Sequence, residues 1–173
     1  MNTHRIFLCG FMGSGKTTVG EILAKRLGLA FIDTDRAIEE KTKLAVTDIF
    51  AKFGEVFFRD EEAVCLKEAI QKNEQAVFAL GGGALLRAEN QNLVKASGIV
   101  IHLSASRDEI MRRISHDKGR PLWNIDKWDE LMKARAQGYR IADWSFDTDG
   151  LTVETVAESV LQYITKRRGI EKK

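Results

Sequence analysis

Gly10-Phe11-Met12-Gly13-Ser14-Gly15-Lys16-Thr17-Thr18 decides the fold of this 173-residue chain. Before it, Arg5-Ile6-Phe7-Leu8-Cys9 is an apolar run without turn formers, closed by a glycine, which predicts a short buried strand. After it, Val19, Ile22, Leu23 and Leu27 recur at helical spacing, and Gly28 stands where a C-cap glycine belongs. A glycine-rich loop thus joins a strand to a helix. Gly10, Gly15, Lys16 and Thr17 satisfy G-x-x-x-x-G-K-[ST] in the context that gives the pattern its meaning. The glycines let successive backbone N–H groups converge on one anion, and the helix N-terminus adds unpaired N–H groups and the positive end of its dipole. Lys16 can reach the β- and γ-phosphates of a nucleoside triphosphate, and the Thr17 hydroxyl can ligate Mg²⁺. The competing reading is a glycine-rich turn with a chance lysine. It requires four fixed positions, a strand and a helix to coincide.

The length suits one domain, 1–173, large enough to bury a core. Formal charge is +2, which supports neither a nucleic-acid-coating role nor a membrane-surface one. Cys9 and Cys65 lie too far from a disulfide framework or zinc motif to suggest either, and Cys9 is expected to pack in the first strand. There is no signal-peptide pattern and no long apolar run, so a cytoplasmic protein is expected. A monomer is expected because no exposed apolar stripe stands out.

Strand and helix signals then alternate. Ala30-Phe31-Ile32-Asp33 predicts a second strand, ending in Asp33-Thr34-Asp35, with a helix from Arg36. Thr47 reads as the N-cap of a further helix that Gly54 breaks. Over 55–72, Val56, Arg59, Ala63, Leu66 and Ile70 recur at helical spacing, which places Arg59 on the apolar stripe. There it is either a snorkelling arginine paired with Glu62 or an arginine aimed into a cleft.

The strand at 76–80 runs straight into Gly81-Gly82-Gly83, either a flexible turn or a backbone that something must approach closely. Another strand follows at 99–103. His102 within it reads as a core or edge histidine rather than a ligand. Ser106-Arg107-Asp108-Glu109 is a capping box opening a helix with Ile110, Met111 and Ile114 inward. Residues 115–125, holding the chain's one proline, read as a lid. A helix over 126–139 carries Trp128, Met132, Arg135 and Tyr139 on one stripe, so Arg135 is a second arginine on an apolar face. Trp144-Ser145-Phe146-Asp147 predicts a fifth strand, Thr152 caps a last helix, and the charged tail 166–173 is expected to fray.

This alternation implies an α/β fold, a mostly parallel sheet covered on both faces, with its ligand site at the carboxyl ends of the strands. Lys16, Thr17, Asp33, Asp35 and the three glycines all fall there. If the second strand stays extended, Asp33 and Asp35 point to one side. A phosphate cradle, a metal site, a carboxylate for an acceptor hydroxyl and cations form the inventory of phosphoryl transfer. Arg59 and Arg135 suggest an acceptor that carries a carboxylate.

In GFMGSGKTTVG, FIDTDRAIEE, FRDEE, ALGGGA, GRPLW and the segment from Arg135 to Tyr139, taken in order, the chain resembles the shikimate kinases. The resemblance implies a three-layer α/β/α fold with five parallel strands in order 2-3-1-4-5. It further implies ATP- and Mg²⁺-dependent phosphorylation of the shikimate 3-hydroxyl on the route to chorismate and the aromatic amino acids. Carried over, it gives Met12, Gly13, Ser14, Gly15, Lys16, Thr17 and Thr18 to the nucleotide, with Arg113 near adenine and Arg120 on the lid. Thr17 and Asp33 serve the metal, and Lys16, Asp35 and Arg120 the catalysis. Asp35, Arg59, Arg135, Gly81, Gly82, Gly83, Phe50 and Phe58 hold the acceptor, in a region of about 34–62 together with the later glycines and Arg135.

Two departures stand out. Gln137 and Gly138 replace the family's proline-containing segment and are expected to loosen the helix that aims Arg135. No proline follows Asp147, so the C-terminal adenine contacts stay unnamed. The rivals are a gluconate-kinase-like enzyme, which shares the loop and lid, and a non-catalytic nucleotide sensor, which would lack Lys16 or Asp35. A GTP switch is a third, but Asp147-Thr148-Asp149-Gly150 lies far from the loop and no N-K-x-D follows.

Overall fold

The computed structural model describes residues 5–115 and 128–171. The strands are β1 (Arg5–Cys9), β2 (Ala30–Asp33), β3 (Ala76–Ala79), β4 (Ile99–Ser104) and β5 (Trp144–Asp147). They form one five-stranded sheet in the order β2-β3-β1-β4-β5, and each neighbouring pair is parallel. The α-helices are α1 (Lys16–Leu27), α2 (Thr34–Thr42), α3 (Val46–Lys72), α4 (Ala88–Ser97), α5 (Arg107–Ser115), α6 (Trp128–Tyr139) and α7 (Val153–Glu171). Among the described residues a 3-10 turn spans Ala84–Leu86. The order implied by the family resemblance is the order found.

Period-two alternation along the central strand explains the layers. Ile6 and Leu8 of β1 face one way, into a core with Val19 and Leu23 of α1 and Val156, Val160 and Ile164 of α7. Phe7 and Cys9 face the other way, into a core with Leu66, Phe78, Val94 and Tyr139. Phe7 and Phe78 stack there at 4.7 Å. Cys9 is buried as expected, and burial pushes its thiol up to about 12, which leaves it inert. A third, smaller core of Ile38, Ile49, Phe58 and Cys65 holds α2 against α3.

Several local expectations need correction. Residue 54 does break α3, since Gly54 sits at φ 81°, ψ 177°, outside the helical region. However, Thr47 is not the cap. Helix α3 begins at Val46, whose N–H donates to Glu39 Oε1 at 2.9 Å. The inward stripe of its second half is Phe58, Glu62, Cys65, Leu66 and Ile70, while Val56 is 74% exposed. Phe53 is 52% exposed beside it, so this flank of α3 does present apolar surface. The capping box is half formed. Ser106 Oγ accepts from Glu109 N–H at 3.2 Å, but the Ser106 N–H goes to Asp149, and Glu109 binds Arg112 and Arg113 instead. Thr152 caps α7 as expected, accepting from Thr155 N–H at 3.2 Å. That helix runs to Glu171 rather than ending before the charged tail. Among the described residues, no helix is long and apolar enough to cross a membrane.

Candidate active site

The phosphate loop folds as its glycines require. Gly10, Gly13 and Gly15 have φ of 147°, 77° and 95°, all in the range that side-chain-bearing residues avoid. Ser14 N–H closes the turn on Phe11 O at 3.2 Å, and Ser14 itself is buried. Gly15 caps α1 without a side-chain hydrogen bond, and the first turn of α1 holds no acidic residue. Every other described α-helix has an Asp or Glu in its first turn. The N-terminus of α1 is therefore left for an outside anion. Lys16 Nζ donates to Gly10 O at 2.9 Å and Phe11 O at 3.0 Å, folded over the loop it serves. Met12 and Gly13 are half-buried on the loop, and Thr18 is exposed on α1.

Thr17 Oγ1 donates to Asp33 Oδ2 at 2.8 Å. A hydroxyl and a carboxylate beside a phosphate cradle are hard oxygen donors of the kind Mg²⁺ takes, so these two residues fit that ion. Asp33 is also the N-cap of α2, accepting from Asp35 N–H at 3.1 Å and Arg36 N–H at 3.3 Å. The extended Asp33–Asp35 geometry is thereby overturned. The chain turns helical at Thr34, because the Asp33 carboxylate supplies the acceptor that the first helical N–H groups need. Asp35 consequently lies in the first turn of α2 and caps nothing.

Four charged side chains meet three glycines. A Cβ on Gly81 would strike the Asp35 carboxylate and come within 2.9 Å of Glu62 Oε1. One on Gly82 would lie 3.1 Å from an Arg135 nitrogen and 3.7 Å from Met12 N. One on Gly83 would strike the Arg59 guanidinium. Of the two readings of this tripeptide, close approach is the one found. What approaches is the set of candidate acceptor residues, and the ridge touches the phosphate loop as well.

The electrostatics follow from this crowding. Burial, and behind it the Asp33 charge, pushes the Asp35 carboxyl up, while Lys16 and Arg59 pull it back. Burial also raises Glu62, opposed by Arg59, whose Nη1 donates to Glu62 Oε2 at 2.8 Å. Arg59 reaches Glu55 too, at 3.3 Å. It is thus the paired arginine, and its guanidinium also lies against Gly83. Arg135 is buried, which lowers its pKa, with Tyr139 opposing. Its guanidinium lies 4.8 Å from the Phe11 ring centroid.

Helix α6 is continuous across Gly138, where a Cβ would strike the Leu85 carbonyl. Gly138 therefore brings α6 down onto the 3-10 turn instead of loosening it. Phe58 is buried and packs with the half-exposed Phe50, ring centroids 4.7 Å apart. Arg113 donates to Gly13 O at 3.3 Å and to Thr148 O at 2.8 Å, a clasp between the phosphate loop and the segment after β5. Arg120 and the lid, apart from Ser115 at the end of α5, lie outside the described residues.

Two contributors went unread in the sequence. Thr34, fully buried, accepts from Gly81 N–H at 2.8 Å and donates to Ala79 O at 3.3 Å, tying α2 to the glycine ridge. Its signal was a threonine between two aspartates, with no indication of a distant partner. Glu62 was read only as a partner for Arg59, because helical spacing cannot show that Gly81 lies opposite.

The family described as shikimate kinase matches residues 12–165. A shikimate kinase of Thermodesulfovibrio yellowstonii is 42% identical over 161 residues, covering 91% of this chain and 92% of that one. One from Thermoanaerobacter pseudethanolicus is 41% identical, covering 95% and 98%. Among solved structures, the shikimate kinase from Acinetobacter baumannii in complex with shikimate superposes with a TM-score of 0.88 at 38% identity, over 95% of this chain and 94% of that one. A gluconokinase from Sinorhizobium meliloti reaches 0.62 at 16% identity, over 94% and 91%, a likeness of fold alone. With its phosphate loop, and with carboxylates and arginines gathered on one glycine ridge, the chain belongs to the shikimate kinase family.

Proposed function

We propose that this chain transfers the γ-phosphoryl group of ATP to the 3-hydroxyl of shikimate, giving shikimate 3-phosphate on the way to chorismate and the aromatic amino acids. The observation that carries the reading is the convergence of Asp35, Arg59 and Arg135 on Gly81, Gly82 and Gly83, beside Met12 of the phosphate loop. A ring hydroxyl needs a carboxylate to orient it or accept its proton, and a carboxylate on the same ring needs arginine forks. This site supplies both.

In this reading, loop N–H groups from Met12 to Thr18 hold the phosphates, and Lys16 leaves the Gly10 and Phe11 carbonyls to meet their β- and γ-oxygens. Thr17 and Asp33 would hold Mg²⁺, which neutralises phosphate charge when bound. Asp35 orients the acceptor hydroxyl. Arg59, kept in place by Glu62, and Arg135 take its carboxylate, while Phe50 and Phe58 wall the pocket. Arg113 borders the adenine side, and Arg120 brings a further cation. The same reading takes the chain as a single-domain enzyme acting as a cytoplasmic monomer, with a small-molecule acceptor and neither nucleic acid nor membrane as partner.

The test is a panel of acceptors with ATP and Mg²⁺, comprising shikimate, gluconate and nucleoside monophosphates. Shikimate-dependent ADP release with one phosphate on the acceptor is expected. Faster turnover of gluconate would move the chain to that activity, and ATP binding without transfer to any acceptor would make it a sensor.

A further inference from the structure

His102, on β4, lies between the strand that leads into the phosphate loop and the helix that carries Arg135. It sits in register with Cys9 of β1, the residue before Gly10, and with Ser145 of β5. Its Nδ1 is 2.9 Å from Ser145 Oγ, which fixes the rotation of the ring. The imidazole stacks on the Tyr139 ring at 4.6 Å and 19°. Tyr139 in turn donates from Oη to Gly82 O at 3.0 Å and interacts with Arg135 on the same helix. Arg135 lies against Gly82 and over Phe11. A continuous path therefore runs from the His102 ring to the carbonyl and the guanidinium that border the acceptor.

We propose that His102 is a positioning residue for the acceptor: its ring is the surface on which Tyr139 rests, and through Tyr139 it sets the Gly82 carbonyl and the Arg135 guanidinium. The chemistry of the ring suits this. Burial, and then the Lys16 charge, push its pKa down, so the imidazole stays neutral. A neutral ring can lie flat under a phenol without adding another cation to a region that holds Lys16 and Arg135. Tyr139 and Cys9, the other titratable groups beside it, are raised by burial and remain protonated. A mere core filler would influence stability but not discriminate between the two substrates.

The kinetic part of the test rests on the shikimate reading, so a ligand-free measurement accompanies it. His102→Ala should raise the KM for shikimate about three- to tenfold, the size of one aromatic pair, with the KM for ATP and kcat little changed. His102→Phe, which keeps a flat ring, should restore it. Combining His102→Ala with Tyr139→Phe should cost less than the product of the single effects, because both act along one path. In the ligand-free protein, the amide resonances of Gly82 and Gly83 should shift in His102→Ala and return in His102→Phe. An unchanged shikimate KM, an equal rise for ATP, or independent effects in the double variant would overturn the proposal. Should the wild type fail to turn over shikimate, the functional reading falls, and the amide resonances decide alone. A shift that the Phe variant reverses supports the proposal, and unmoved resonances overturn it.

Discussion

The proposed phosphate end of the site is built from backbone supplied by one uninterrupted segment, 10–18, whereas the proposed acceptor end is built from side chains that arrive on α2, α3 and α6. At the first end, positive-φ glycines aim N–H groups, and the helix behind them carries no acidic residue in its first turn. At the second, glycines serve a different purpose, removing Cβ atoms so that Asp35, Arg135 and Arg59 can close on one ridge. A backbone cradle recognises any polyphosphate, so the same loop serves enzymes with different acceptors. In the proposed function, choice of acceptor belongs to the convergent side chains. A gluconokinase accordingly shares the fold at 16% identity, a likeness of fold alone.

The comparison breaks most visibly at Lys16. Lys16→Ala should reduce turnover about 10³-fold, the effect of removing a preorganised charge from a developing phosphate transition state, while shikimate affinity stays near that of the wild type. Steady-state kinetics together with acceptor titration checks this.

At the other end, Arg59→Ala and Arg135→Ala should each weaken acceptor binding about 30-fold or more, from roughly 2–5 kcal/mol for a desolvated charge pair, and leave ATP binding intact. Calorimetric titration with each ligand separately decides. Equal losses for both ligands would erase the division between the ends.

A glycine exchange sharpens the contrast at lower cost. Gly83 has φ −110°, an angle any residue adopts, so Gly83→Ala changes only the space beside Arg59. About a tenfold rise in acceptor KM is expected, from the ~1–3 kcal/mol of forced repacking. Gly13, at φ 77°, is the opposite case. There Gly13→Ala should strain the loop and raise the KM for ATP instead.

The smallest effect concerns pH and stability. Burial raises the pKa of Asp35 and of Glu62 above their unfolded values, so the folded state holds those protons more tightly. Their contribution to stability is present below the unfolded values near pH 4 and is lost as pH rises through the folded ones. Asp35→Asn should therefore raise the melting temperature at about pH 8 and lose that advantage at about pH 4, measurable by thermal unfolding at the two values. In the proposed function catalysis runs the other way, because the ionised Asp35 would orient the hydroxyl. The acid limb of kcat/KM should accordingly fall at a pH above the usual carboxylate range.

The same division governed what could be read from the sequence. The phosphate end is local, and its strand, loop, helix and C-cap glycine were all legible in 5–28. Strand alternation gave the parallel sheet, and Phe7, Cys9, Ile6 and Leu8 sorted themselves between its two faces as a period of two demands. The acceptor end is non-local, and spacing could put Arg59 and Arg135 on apolar faces without saying what they faced. Asp35 does not extend the strand because the Asp33 carboxylate, accepting from Asp35 and Arg36 N–H, starts α2 at Thr34, two residues before Arg36. The stripe on α3 was shifted because Glu62, a charged residue, is buried on it beside Arg59 while Val56 faces outward. Gly138 looked like a weak point in α6, since nothing local reveals the Leu85 carbonyl against which it packs.

The central claim is that Asp35 holds the reacting hydroxyl of shikimate opposite the phosphate loop, and single-turnover phosphoryl transfer by Asp35→Asn tests it most directly. Asn keeps the size and one acceptor oxygen but removes the charge. In the structure Asp33, not Asp35, caps α2, so loss of a helix cap cannot mimic the result. The account predicts a folded protein that binds ATP–Mg²⁺ as the wild type does and transfers phosphate to shikimate about 10²–10⁴-fold more slowly. A transfer rate equal to that of the wild type on the same preparation would contradict it.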